Sequence, residues 1–201
     1  MPMKRTLMVG SILLGLLLTG WACNRQASTA GNPQTNSTQT NTSASGQLNF
    51  KAPDGWVTEK ASSSMRAAQY TLPKAEGDSE DATAVLYYFG ATQGGSPQAN
   101  IDRWISQMQQ SDNSSSKEKA KTETMTINGL PVTSVDVTGT YTAEMGPGSG
   151  SFHNNPNYRL LAAVIETPKG NYFLKVVGPA KTVARWEQAY RDYLKSFAFK
   201  S

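Results

Sequence analysis

The chain predicts an α+β domain: an antiparallel sheet of about six to seven strands with two amphipathic helices packed on it. Three observations carry this. The segments Ala84 to Phe89 and Tyr158 to Thr167 are apolar at successive positions, the mark of strands covered on both faces. Two other segments, from Pro97 onward and from Thr182 to about Ser196, repeat apolar residues at helical spacing. The turns between predicted strands are of hairpin length, which makes neighbouring strands antiparallel.

In chain order, regular structure is expected to begin near Leu48. Phe50, the turn Pro53-Asp54-Gly55 and Trp56 give a short strand, a tight turn and a second strand, with Trp56 as a core anchor. Met65 to Leu72 alternates as a strand, and Asp78 to Asp81 marks an acidic surface loop. After the first doubly apolar strand, Ser96 is placed to cap a helix with Pro97 at its first position. Ile101, Trp104, Ile105 and Met108 form its apolar stripe, and Ser111 to Ser116 ends it. Lys117 to Ile127, charged and weakly alternating, reads as an edge strand. Asn128-Gly129 is a hairpin signal, because a type I′ turn needs positive φ at both central residues. Val132 to Tyr141 returns with Val135, Val137 and Tyr141 on one face and Asp136, Thr138 and Thr140 on the other. Glu144 to Asn157, rich in Gly, Asn and Pro, is a long loop. Tyr158 to Thr167, the turn Pro168-Lys169-Gly170-Asn171 and Tyr172 to Val177 make a strand pair that Gly178-Pro179 ends. The closing helix turns Val183, Trp186, Tyr190, Tyr193, Leu194 and Phe197 inward.

Upstream of this domain, Lys4 and Arg5 precede an apolar run from Leu7 to Leu18. It has the length of a signal-peptide core, whereas a bilayer span needs about 20 residues. The run ends at Thr19-Gly20-Trp21-Ala22-Cys23, and Cys23 is the single cysteine of the chain. This junction resembles the lipobox of bacterial lipoproteins. The resemblance implies that residues 1–22 are a signal peptide and that Cys23 is diacylated on sulfur and becomes the mature N-terminus. Gly20 stands where that family usually has Leu. Gly20 and Ala22 also satisfy the small-x-small rule of ordinary secretory cleavage, and both readings cut before Cys23. Residues 23–47 then read as the attachment cysteine and a disordered tether rich in Ser, Thr, Asn and Gln, too polar to offset the entropy of ordering it. As a flexible coil it reaches on the order of 25–30 Å. Residues 48–201 remain as a single globular domain. The anchor implies an extracytoplasmic place at the outer membrane or cell surface, the periplasmic side included.

The chain has 201 residues, 19 basic and 15 acidic. Removing Lys4 and Arg5 leaves 17 basic against 15 acidic, a net of +2 in place of +4. No Lys/Arg cluster is interleaved with aromatics, which argues against nucleic-acid binding. One cysteine leaves no internal disulfide, so the fold must rest on its apolar core.

Several motifs together resemble the PsbP-like (Mog1p/PsbP) α/β/α sandwich. They are Phe50-Lys51-Ala52-Pro53-Asp54-Gly55-Trp56, the Asn128-Gly129 hairpin, the Tyr158–Thr167 and Tyr172–Val177 pair, and the terminal Leu194-Lys195-Ser196-Phe197. The resemblance covers most of residues 48–199 and implies a non-catalytic accessory or binding domain.

Candidate site residues are few. His153, the sole histidine, lies in a Gly-rich loop with Ser149 and Ser151, where a general base or a ligand-binding loop is conceivable. A surface histidine is the simpler account, since no G-x-S-x-G elbow accompanies the serines. Gly94-Gly95 before a helix start offers backbone N–H groups to an anion, or simply turns the chain. Trp104 and Trp186 lie on helical stripes and are expected in the core rather than under a sugar. Asp78, Glu80 and Asp81 lack EF-hand spacing. One histidine and one acylated cysteine cannot make a zinc site. No catalytic residue, cofactor or metal is implied. The expected function is a lipid-anchored binding or accessory protein, with the membrane and an envelope protein as partners and the oligomeric state open. The alternatives are an envelope enzyme using the 144–157 loop and a structural protein bridging envelope surfaces.

Overall fold

The computed structural model describes Thr40–Thr42 and residues 48–200. The signal segment, Cys23 and most of the tether lie outside the described residues. Thr40–Thr42, tether by composition, forms strand β1.

The described residues build two sheets. A small one has the order β1, β2 (Leu48–Lys51), β11 (Ala198–Phe199). The main sheet has eight strands: β3 (Val57–Thr58), β4 (Arg66–Leu72), β5 (Ala82–Tyr88), β6 (Met108–Gln109), β7 (Lys121–Ile127), β8 (Leu130–Tyr141), β9 (Asn155–Ile165) and β10 (Tyr172–Pro179). Their order is β3-β4-β5-β10-β9-β8-β6, with β7 also on β8. Every pairing is antiparallel. The α+β class is therefore as the sequence predicts, with one strand more than the upper count expected and a second sheet besides. β7 covers the first half of β8 and β6 its last two residues, so the predicted edge strand is one of two at that margin.

Alternation along the strands produces two cores. On β10, Tyr172, Leu174 and Val176 face one side and Phe173 the other; on β9, Leu161, Ala163 and Ile165 oppose Leu160, Ala162 and Val164. This is why both strands read as apolar throughout. Helix α1 (Pro97–Ser106) covers one face through Ile101, Trp104 and Ile105. Helices α3 (Ala180–Arg185) and α4 (Glu187–Lys195) cover the other through Val183, Tyr190, Tyr193 and Leu194. The layering is α/β/α.

The α4 face holds an aromatic cluster. Phe50 lies edge-on to Tyr193 and Phe197, each at 5.8 Å, and Trp56 packs on Tyr70 at 5.4 Å and Tyr193 at 5.3 Å. Residues from both ends of the domain thus close one core, which seats β2 against α4. The hairpin at Asn128-Gly129 has φ of 49° and 80°, as a type I′ turn requires. Its Asn128 amide also donates to the carbonyls of Lys195 at 3.0 Å and Phe197 at 2.8 Å, so the turn caps the end of α4.

Four local expectations change. The helix stripe through Met108 is real, but α1 stops at Ser106. The Gln107 carbonyl accepts from the Thr142 N–H at 2.8 Å, and Met108 is buried as part of β6. A one-turn helix, α2 (Ser116–Lys119), precedes β7. The closing helix is two helices, because Trp186 leaves the helical path where its indole donates to the Pro73 carbonyl at 2.8 Å. The 144–157 loop is shorter than expected: Glu144 bridges to Phe152, and β9 starts at Asn155.

Candidate functional site

Between α4 and the β7–β8 hairpin lies a groove of about 620 Å³. Its apolar lining comes from Met125 and Ile127 of β7, Leu161 of β9 and Leu194 of α4. Strand alternation places them, because β8 and β9 carry charge rather than apolar side chains where they pass beneath α4. Those charges form a chain. Arg159 holds Asp136 with two parallel bonds, Nε to Oδ1 at 2.8 Å and Nη2 to Oδ2 at 2.7 Å. Its remaining Nη1 meets Glu187 Oε2 at 2.8 Å, and Glu187 Oε1 accepts from Arg191 Nη2 at 2.9 Å. Planar forks on carboxylates are the strong form of ion pair.

The electrostatics follow the contacts. The bonds to Asp136 raise the Arg159 pKa above its already high ordinary value against the opposing effect of burial. The Arg191 bond, then that of Arg159, holds the Glu187 carboxyl below its usual range. The Glu187 carboxylate is therefore not poised as a base. Tyr190 lines the same groove with its hydroxyl buried and without a hydrogen-bond partner. Burial, reinforced by Asp136, pushes its ionisation far above the ordinary phenol range. What the groove offers is binding chemistry: apolar contact and an ionic wall.

The opposite face has a second polar cluster. Lys175 lies on β10 between Phe173 and Val177, on the α1 side of the sheet. Its Nζ donates to Gln107 Oε1 at 2.6 Å and to the Tyr141 hydroxyl at 2.9 Å. Burial, then the neighbouring Arg103, lowers its pKa to about 8, and burial raises that of Tyr141 to about 12.

The sequence-predicted residues distribute around these features. The His153 ring lies tilted against Tyr141 with centroids 5.0 Å apart, and its backbone N–H donates to Ala143 O at 2.9 Å. Ser149 and Ser151 bond to each other: the Ser151 N–H reaches Ser149 Oγ at 3.2 Å and that hydroxyl reaches Ser151 O at 3.3 Å. Gly94 and Gly95 have φ of 93° and 79°. A side chain at Gly94 would meet the Phe173 ring at 2.5 Å, so this glycine lets a turn pack on the core. The Gly94 carbonyl accepts from Asn100 Nδ2 at 2.7 Å. Ser96 caps α1 as expected, accepting from Ala99 N at 3.2 Å. Trp104 is buried and Trp186 half-buried, both in packing roles. The acidic loop folds onto α3: Asp78 Oδ2 accepts from the Thr182 N–H at 2.9 Å and its hydroxyl at 2.6 Å, and Asp81 accepts from Lys74 N at 2.8 Å. Among the described residues no group of three or more His, Cys, Asp or Glu is arranged to hold a metal. Cys23 lies outside the described residues.

Sequence reasoning passed over Arg159, Asp136, Glu187, Tyr190 and Lys175. A usable signal existed for two of them, since Arg159 and Lys175 are single charges inside otherwise apolar strands.

An antiparallel α/β/α domain with a groove beside its C-terminal helix is the class this geometry defines. No protein-family model matches the chain, and no curated protein matches it. Solved structures share the architecture. LpqN of Mycobacterium tuberculosis, involved in cell envelope biogenesis, aligns at 10% identity with a TM-score of 0.50, over 77% of this chain and 83% of that one. Protein PA94 of unknown function from Pseudomonas aeruginosa aligns at 15% identity and TM-score 0.42, over 76% of this chain and 92% of that one. Cyanobacterial PsbP (CyanoP) from Synechocystis aligns at 12% identity and TM-score 0.42, over 77% and 87%. At this identity the likeness to LpqN is one of fold alone.

Proposed function

We propose that this chain is a lipid-anchored extracytoplasmic accessory protein that binds rather than catalyses, with the groove beside α4 as its binding element. The observation that carries the reading is the groove itself. Its carboxylates are locked in ion pairs, its phenol is held protonated, and its apolar lining beside an ionic wall suits recognition. The enzyme alternative draws no support from the 144–157 loop, where His153 packs against a tyrosine and the two serines are tied to each other. The envelope setting rests on the N-terminal sequence, and LpqN, of the same fold, is described as involved in cell envelope biogenesis. Among the described residues no helix is long and apolar enough to cross a membrane. Membrane attachment is assigned to lipid on Cys23 because of the lipobox-like sequence that precedes it. The PsbP-like assignment belongs to the same proposal. It is supported by the way the motif residues Phe50, Trp56 and Phe197 close a single aromatic core.

The test uses the full chain extracted from its own envelope in mild detergent. Ser134→Trp fills the groove from the half-buried face of β8 without touching the core. Native mass spectrometry is expected to find a noncovalent species on the wild type that is absent from Ser134→Trp at an unchanged Tm. Equal retention by both proteins removes the groove from the reading. Turnover lost in His153→Ala at unchanged Tm replaces it with the enzyme alternative. The same spectra are expected to show two acyl chains and glycerol on Cys23, and an unmodified thiol there discards the anchor.

A further inference from the structure

The α1 face carries a surplus of hydrogen-bond donors around two cations. Lys175 has three N–H donors, and Gln107 and Tyr141 accept two. Tyr141 serves Lys175 as acceptor, so its own O–H remains to be donated. Arg103, one helical turn before Gln107 and exposed, spends one N–H on Asn100 Oδ1 at 2.6 Å. Asn100 is itself buried and held by the carbonyls of Gly94 at 2.7 Å and Ser96 at 3.0 Å, so the guanidinium is braced from the turn that begins α1.

No carboxylate answers these cations. The ion pairs among the described residues involve Lys117, Lys119, Arg159, Arg191 and Lys195, and neither Lys175 nor Arg103. The Gln107 carbonyl, just past the end of α1, accepts from the N–H of Thr142 at 2.8 Å. Burying an ammonium against neutral acceptors costs stability that an apolar side chain at the same place would not. Burial, then the charge of Arg103, disfavours the charged form of Lys175. An anion between them would turn that repulsion into two charge-assisted bonds.

We infer that Lys175, Arg103 and Tyr141 form a receiving site for a compact oxyanion, a carboxylate or phosphate group, at the C-terminal end of α1. The site lies on the opposite side of the sheet from the α4 groove and does not depend on that groove binding anything. Tyr141 remains a neutral donor there, with the His153 ring tilted against its own. Gln107 holds Lys175 in place until the oxyanion arrives and is a positioning residue.

The experiment is competitive acylation of the full chain in mild detergent, read lysine by lysine in peptide maps. Inorganic phosphate and acetate are titrated separately, with a water-soluble short-chain phosphatidylglycerol as a third titrant to separate a headgroup phosphate from a free one. Saturation with at least one titrant is expected to slow labelling of Lys175 by about tenfold while leaving exposed Lys169 unchanged, the size of effect that about 1.4 kcal/mol of protection gives. In calorimetry Lys175→Met abolishes the binding heat and Arg103→Gln weakens binding by about tenfold. If no titrant protects Lys175, or if the heat survives in Lys175→Met, the site does not exist. Should Lys175→Met fail to fold, the protection measured on the wild-type chain decides alone.

Discussion

The two faces of the sheet each hold a half-buried cation and treat it in opposite ways. On the α4 face Arg159 meets two carboxylates from two other elements, and the four-charge chain is closed. On the α1 face Lys175 meets an amide and a phenol, both neutral, with a second cation close by. The first arrangement resembles a clamp, because Asp136 lies on β8, Arg159 on β9 and Glu187 on α4. The second resembles an unfinished pair. A buried charge that is answered serves the fold; one that is left unanswered is available to a ligand.

Four measurements break or sharpen this contrast. The largest effect belongs to the shared aromatic core, which is independent of either charge. Phe197→Ala removes a fully buried ring in contact with Phe50 and Tyr193 and is expected to cost ~3–5 kcal/mol in chemical denaturation. A cost below ~1 kcal/mol would mean that the C-terminal segment is not part of the cooperative core. Next is the clamp. Arg159→Leu strands Asp136, leaves Glu187 with Arg191 alone, and is expected to cost about 2 kcal/mol, between the values for exposed and buried pairs, because both carboxylates keep some solvent.

The third measurement concerns Lys175 and pH. Its folded-state pKa, about 8, lies below the ordinary 10.5, so between these values the unfolded chain binds the extra proton. Stability from this group therefore rises with pH across that window and is lost as pH falls through about 8. Tyr141, with its pKa raised from 10.0 to about 12, acts oppositely only above pH 10.0. The wild-type Tm measured from pH 8 to 10 is expected to rise relative to that of Lys175→Met, and parallel profiles would show that Lys175 is not buried as described. The smallest effect is at Tyr190. Tyr190→Phe deletes a buried hydroxyl that has no partner, so denaturation is expected to change by less than ~0.5 kcal/mol, or to favour the variant. A loss above ~1 kcal/mol would mean that the hydroxyl is already engaged.

Legibility differed by element for physical reasons. The Asn128-Gly129 turn was readable because positive φ is a local demand that few residues meet. Ser96 and Pro97 announced α1 because capping is equally local. The end of α1 was not readable. Met108 satisfies the helical stripe and is buried either way, and the choice of strand comes from Thr142 and Tyr141, which lie more than thirty residues further on. The break at Trp186 likewise depends on a carbonyl at Pro73. The candidate sites were least readable. Arg159, Asp136 and Glu187 become neighbours only when β8, β9 and α4 are stacked, and Lys175 shows in sequence as a lone charge in an apolar strand, with nothing to say whether it is paired.

By itself the amino-acid sequence determined the α+β class, the doubly covered strands, the hairpin and the inward stripes of the helices, because each follows from periodicity or from the backbone limits of single residues. Only the tertiary structure decided strand order, the second small sheet, where two helices end, and which buried charges are answered. Those depend on contacts between residues far apart along the chain, and the energy of such a contact is unwritten until the chain has closed around it.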